Sequence, residues 1–165
     1  MTPSPPAAAN VDQAGQARLR ARYIKDLSFE NPGAPDSFGI ADPTIDIAVR
    51  VDGRQRASLH EVVITLTATA RHDSMILWLA EICYAGLFEI PDIPEPARQR
   101  FMLTEAPSLL FPWIDRIIAD VARDGGLPAL NLSPPDFDAL YRQQQARTNV
   151  KDPRSAEPGA ERDER

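Results

Sequence analysis

The stretch YIKDLSFENPGAP, Tyr23 to Pro35, decides how the rest of this chain is read. Tyr23, Lys25, Leu27 and Phe29, apolar or long, alternate with Asp26, Ser28 and Glu30. That is the two-residue period of a half-buried strand, here with one acidic face. Pro32 pre-sets a turn angle and Gly33 supplies the positive φ of a type II turn, so Asn31 to Ala34 should end the strand abruptly. Upstream, Arg18, Arg20 and Arg22 read as a solvated lead-in, and the Pro- and Ala-rich residues 1–17 as a disordered tail.

Downstream, Asp36 to Pro43 is a polar connection, after which Ile45, Ile47, Val49 and Val51 alternate with Asp46, Ala48 and Arg50 as a second strand. Asp52 and Gly53 give a turn signal. A third strand follows, with Val62, Ile64, Leu66, Ala68 and Ala70 on one face and Thr65, Thr67 and Thr69 on the other. After the turn at His72 to Ser74, the fourth strand, Ile76 to Phe88, is apolar on both faces. Leu77, Leu79 and Cys83 lie on one, and Ile76, Trp78, Ala80, Ile82 and Tyr84 on the other. Short polar turns favour antiparallel pairing, so the second to fourth strands should form a meander. Two greasy faces call for helices on one side and another subunit on the other, so an oligomer is expected.

The remaining elements read as helices. Glu95 to Ala106 is a short amphipathic helix with Ala97, Phe101 and Met102 inward. A principal helix starts between Ser108 and Pro112, carries Leu110, Ile114, Ile117, Ile118 and Val121 at helical spacing, and stops at Gly125 and Gly126. Ser133, Pro134 and Asp136 supply a cap, a first-position proline and a capping-box acid for a final helix with Phe137, Leu140 and Tyr141 on one stripe. Residues 146–165, of mixed charge and nearly free of bulky apolar groups, read as a second disordered tail, which leaves 18–145 as the folded domain.

The chain has 165 residues and a net charge of −6, enough length for one domain with its own core. Acidity opposes nucleic-acid binding, which draws on clustered Lys and Arg, and suits basic polypeptides instead. The longest apolar run, Met75 to Ile90, is interrupted by Glu81 and Glu89, which argues against a membrane span. A single cysteine, Cys83, and an N-terminus without a signal-peptide pattern make the reducing cytoplasm the expected location. His60, His72 and Cys83 are unclustered, so no metal site is expected, and no cofactor loop is present. His72, Asp73 and Ser74 are consecutive and their side chains diverge, so no catalytic trio forms and no enzyme is expected.

The Tyr23–Pro35 stretch closely resembles the opening strand of the SecB family of bacterial protein-export chaperones. The segment LLFPWIDRIIADVARDGGLPALNLSPPDFDAL, Leu109 to Leu140, resembles that family's main helix, Gly turn and final helix in the same order. The resemblance implies an α+β fold: a four-stranded antiparallel sheet with helices packed on one face, assembled as a dimer of dimers. It implies an ATP-independent holdase that keeps unfolded preproteins competent for translocation and delivers them to SecA, the motor ATPase of the Sec translocase. Asp26, Glu30, Leu79 and Glu81 match the acidic sheet surface that receives the zinc-binding C-terminal segment of SecA, the zinc being the partner's. Ile45, Ile47 and Val49 match a groove for unfolded polypeptide, which Trp113, Phe137 and Tyr141 from the helices would complete. Ala80, Ile82 and Tyr84 match positions that support subunit association, and Ala85 replaces a glycine usual before Gly86.

On the residues alone, the acidic positions read equally as a solvated face, and the Ile45, Ile47, Val49 stripe as ordinary core. The nearest rival is a chaperone of this kind dedicated to one client, such as an antitoxin. A small-molecule site in the sheet–helix cleft would need convergent polar groups there, which the sequence does not supply. A purely structural oligomer would ignore unfolded chains.

Overall fold

The computed structural model describes residues 16–151, with side chains through Arg147. The tail residues 1–15 and 152–165 lie outside the described residues. Strand β1 spans Arg18–Glu30, and a 3-10 turn over Asp36–Gly39 leads to β2, Thr44–Arg56. Then come β3, Leu59–His72, β4, Met75–Glu89, and the helices α1, Glu95–Leu103, α2, Glu105–Asp124, and α3, Phe137–Lys151. The strands form one antiparallel sheet in the order β1-β4-β3-β2. The expected meander is β2-β3-β4, and the long connection after β1 brings that strand to the far side of β4, a Greek-key order.

Alternation builds the core. Val62, Ile64, Leu66, Ala68 and Ala70 on β3 and Ala80, Ile82, Tyr84 and Phe88 on β4 are buried on one face. Against them α2 sets Leu110, Ile114 and Ile118, four or so residues apart along one helical stripe. Thr65, Thr67 and Thr69 stand on the other face, which no helix covers.

Several element ends differ from the sequence expectation. The arginines of the lead-in belong to β1: Arg20 pairs with Glu89, and the Arg22 guanidinium lies 3.4 Å over the Trp113 ring. The Asn31–Ala34 turn closes through Ala34 N–H donating to Asn31 O at 3.2 Å, but Gly33 has no positive φ. A Cβ at Gly33 would lie 3.0 Å from Leu77 O and from Ser37 Cβ, so close approach rather than turn geometry requires glycine. Asp52 and Gly53 are not a turn. β2 continues to Arg56, and Gly53 lets Met102 of α1 press on the sheet, where a Cβ would sit 3.2 Å from the Met102 Cβ. The turn falls at Ala57, with φ 53°.

Helix α2 begins at Glu105, earlier than expected, because Pro107 fills the first-turn role assigned to Pro112. Pro112 therefore sits inside the helix, and Ala106 belongs to α2. Thr104 separates α1 from α2, and its hydroxyl donates to Arg100 O at 2.9 Å. In α1, Met102 is buried and Phe101 half-buried, but Ala97 is exposed. Helix α3 starts at Phe137, later than expected: Pro135 disfavours the helical region for Pro134 before it. Asp136 is the cap itself, its Oδ1 accepting Ala139 N–H at 2.8 Å. The helix runs past the expected boundary at 145 to Lys151.

Leu110→Ala should lower the stability of the folded chain by about 2–5 kcal/mol, as a cavity opens between α2 and β4. Arg50→Ala, which removes an exposed ion pair with Asp52, should change it by less than about 0.5 kcal/mol. Urea unfolding of the variants beside wild type measures both.

Candidate functional site

The uncovered sheet face carries the first candidate. Pairing sets Asp26 opposite Cys83, Ser28 opposite Glu81 and Glu30 opposite Leu79, so Asp26, Glu30, Leu79 and Glu81 share this face. Asp26 and Glu30 are exposed and have no ion-pair partner among the described residues, whereas Glu81 accepts the Thr67 hydroxyl at 3.0 Å. Cys83 lies on this face too, half-buried, its Sγ 3.5 Å from Thr65 Oγ1.

The expected simple alternation of β1 breaks at a bulge. The register shifts between Ile24 and Asp26, so Lys25 is the extra residue. Tyr23 and Lys25 therefore lie on the same face as Asp26, not opposite it, while Leu27 and Phe29 remain core-side. Both reach Glu61 on β3, although β4 lies between: Glu61 stands opposite Leu87, and Leu87 opposite Ala21. Glu61 Oε1 accepts Tyr23 O–H at 2.7 Å and Lys25 Nζ at 2.9 Å, and Oε2 accepts Arg54 Nε at 2.6 Å and Arg56 Nε at 3.4 Å. Glu61 is only 3% exposed, and sequence reading passed over it. Its signal was a lone carboxylate opening an otherwise apolar and threonine strand.

The Lys25 and Tyr23 hydrogen bonds outweigh the upward push of burial and hold the Glu61 carboxyl down to about 2. The Tyr23 phenol is raised, first by donating to that carboxylate and then by burial.

The second candidate lies on the helix-side face. Ile45, Ile47 and Val49 stand opposite Ala70, Ala68 and Leu66, yet α2 packs on β3 and β4 and leaves Ile45 and Ile47 exposed, while Val49 is half-buried against the core. Ile45 is 37% and Ile47 43% exposed. At the Ile45 end a hollow of about 480 Å³ is lined by Phe38, Ile40, Leu77, Trp78, Leu127 and Leu130 among others. At the Val49 end a smaller one of about 270 Å³ lies against Leu103, Leu140 and Tyr141. Leu77, expected on the face opposite Trp78, joins it here because a bulge leaves it unpaired between Ile76 and Trp78.

Two expected groove residues lie elsewhere. Phe137 is buried, its ring edge-on to Phe111 with centroids 6.2 Å apart, so it anchors α3 to the core. Trp113 faces β1 under Arg22. Tyr141 does line the smaller hollow. The missed contributors, Phe38, Leu127 and Leu130, sit in segments without periodicity, where only an aromatic in a polar connection and a run of leucines after the double glycine hinted at them.

Ala80, Ile82 and Tyr84 are packed in this chain's own core. Within the single chain these side chains pack inward against β3 and the helices rather than standing at its surface. The consecutive His72, Asp73 and Ser74 occupy an exposed turn. Among the described residues no group of three or more His, Cys, Asp or Glu is placed to hold a metal ion, and no helix is long and apolar enough to cross a membrane.

A four-stranded antiparallel sheet covered by helices on one face is similar to the fold of a SecB-like chaperone. The SecB-like chaperone of Mycobacterium tuberculosis, solved in complex with a ChAD peptide from an antitoxin, superposes with a TM-score of 0.62 at 19% identity. The match covers 73% of this chain and 91% of that one. The family model for preprotein translocase subunit SecB matches residues 10–148. The protein-export protein SecB of Maricaulis maris is 44% identical over 162 residues, 96% of this chain and 91% of that protein. That of Methylocella silvestris is 45% identical over 139 residues, 82% and 86% of the two chains. The chain belongs to the SecB family of protein-export chaperones.

Because the folded Glu61 carboxyl lies near 2 and an unfolded one near 4.5, its stabilisation is present above about pH 4.5 and is lost as pH falls toward 2. Thermal unfolding from pH 5.5 to pH 3 should therefore show a steeper fall for wild type than for Glu61→Gln.

Proposed function

We propose that the chain is an ATP-independent holdase of the cytoplasm that binds non-native preproteins on the Ile45, Ile47, Val49 strip and hands them to SecA at the Asp26, Glu30, Leu79, Glu81 face. The observation that carries this reading is the separation of the two candidates. An open apolar strip between two hollows occupies one sheet face, and the other carries Asp26 and Glu30, carboxylates without ion pairs among the described residues. Non-native chains expose apolar segments that folded ones bury, and contact worth roughly 25 cal/mol per Å² selects them without reading sequence. The carboxylates suit a basic partner, whose charge pairing adds orientation and association rate.

The protein works as a homotetramer, a dimer of dimers. Supporting this, Leu19, Ile24 and Leu27 on the core side of β1 and Leu109 on α2 stay exposed in the single chain, and a second subunit is a fitting cover. Several strips on one assembly let a single client bind through many weak contacts. Neither nucleic acid nor membrane insertion has a part in this scheme. A narrower reading, a chaperone dedicated to an antitoxin, takes support from the peptide bound to the mycobacterial fold relative. The export reading is preferred because relatives above 40% identity are export proteins by name.

Size-exclusion chromatography with light scattering should give four protomers alone, and a complex with an unfolded secretory precursor but not with the same precursor folded. A monomer indifferent to both would reject the proposal. Ile47→Asp should weaken precursor binding about tenfold or more. Asp26→Asn with Glu30→Gln should instead weaken binding of the zinc-loaded C-terminal segment of SecA about tenfold at low salt and spare the precursor. Equal loss of both activities in either variant would sink the division of labour.

A further inference from the structure

Lys25 sits next to Asp26 in the chain and, through the bulge, on the same sheet face. An ammonium on a flexible four-carbon stem at that position is within easy reach of its acidic neighbours, and a pair there would cancel charge that a basic partner needs. It is not available for that pairing. Its Nζ is 2.9 Å from Glu61 Oε1, the same oxygen that accepts Tyr23 O–H, and both side chains are folded back over β4 toward β3. Arg54 and Arg56 approach the other oxygen from the β2 side, so one buried carboxylate collects three cations at the end of the face away from Glu30. Asp26 and Glu30 are left without ion pairs among the described residues.

We propose that Glu61 is a positioning residue for the docking face: by clasping Lys25 and Tyr23 at the β1 bulge, it holds the Lys25 ammonium off the acidic row and leaves Asp26 and Glu30 free to meet a basic segment. This rests on the reading of that row as a partner-binding face. Glu61 itself, enclosed by its four donors, touches no partner. Its effect is on charge placement, and so on association rate more than on the fold.

The test uses the full chain and the zinc-loaded C-terminal segment of SecA as probe, with association followed by stopped flow at low salt. Glu61→Gln should slow association about three- to tenfold, because the freed ammonium pairs with the carboxylates. Adding Lys25→Met to Glu61→Gln should restore the wild-type rate, a rescue that a purely structural loss would not show. Lys25→Met alone, at a residue still leaving Glu61 three donors, should bind within about twofold of wild type. Wild-type association in Glu61→Gln, failure of the rescue, or weakened binding in Lys25→Met alone would each overturn the proposal; the last needs only a fold-neutral variant, should Glu61→Gln not fold. If Asp26→Asn with Glu30→Gln binds the segment as wild type does, the docking reading has failed. If that variant loses binding while Glu61→Gln keeps it, only the role of Glu61 has.

Discussion

One helix is too narrow for this sheet. Four strands at about 4.8 Å spacing place the outer axes about 14 Å apart, while a helix with its side chains is about 10–12 Å across. Helix α2 settles over β3 and β4, the middle of the sheet, where Leu110, Ile114 and Ile118 meet side chains that are themselves fully buried. Parts of both flanks are left open, although α1 presses Met102 onto β2 at Gly53. On β2 the residue is the Ile45, Ile47, Val49 strip, and on β1 it is Leu19, Ile24 and Leu27. The open strip on β2 and the exposed apolar residues of β1 thus have a common origin in the width of a sheet against the width of its cover.

The opposite face is shaped by a different constraint, the cost of burying charge. A carboxylate as enclosed as Glu61 persists only if its lone pairs are filled, and here Tyr23, Lys25, Arg54 and Arg56 fill them. The same contacts tie β3 to β1 across β4 and to the β2 side of the face. Removing one partner of such a set leaves buried charge uncompensated, whereas the exposed pairs elsewhere, such as Arg50 with Asp52, are screened and contribute little. The apolar strip and the carboxylate row lie on separate faces, the one set to exclude water and the other to keep it.

Much of the fold was legible in the sequence. The period-two runs of β2, β3 and β4 identified a meander, and the acidic row of β1 fell on one face as its alternation required, since a strand's side chains have only two directions to point. Element ends were read less well. Gly53 looked like a turn and is a contact surface for Met102; Pro112 looked like a helix start and lies inside α2; Asp136 looked like an inner capping acid and is the cap. In each case the residue type was correctly noted, and the partner that gives it meaning is distant in the chain.

The sequence by itself determined the class of fold, the faces of the central strands and the family, because these follow from local periodicity and from motifs held in order. Only the tertiary structure decided which apolar residues stay open: Ile47 and Ile64 are alike in pattern, and the placement of α2 alone makes one exposed and the other core. It likewise decided that Phe137 anchors rather than lines the groove, that Ala80, Ile82 and Tyr84 face inward, and that Lys25 turns toward Glu61. The physical reason is that burial and ion pairing are properties of neighbours in space, and a bulge of one residue, invisible to composition, turns Tyr23 to the face opposite Leu27.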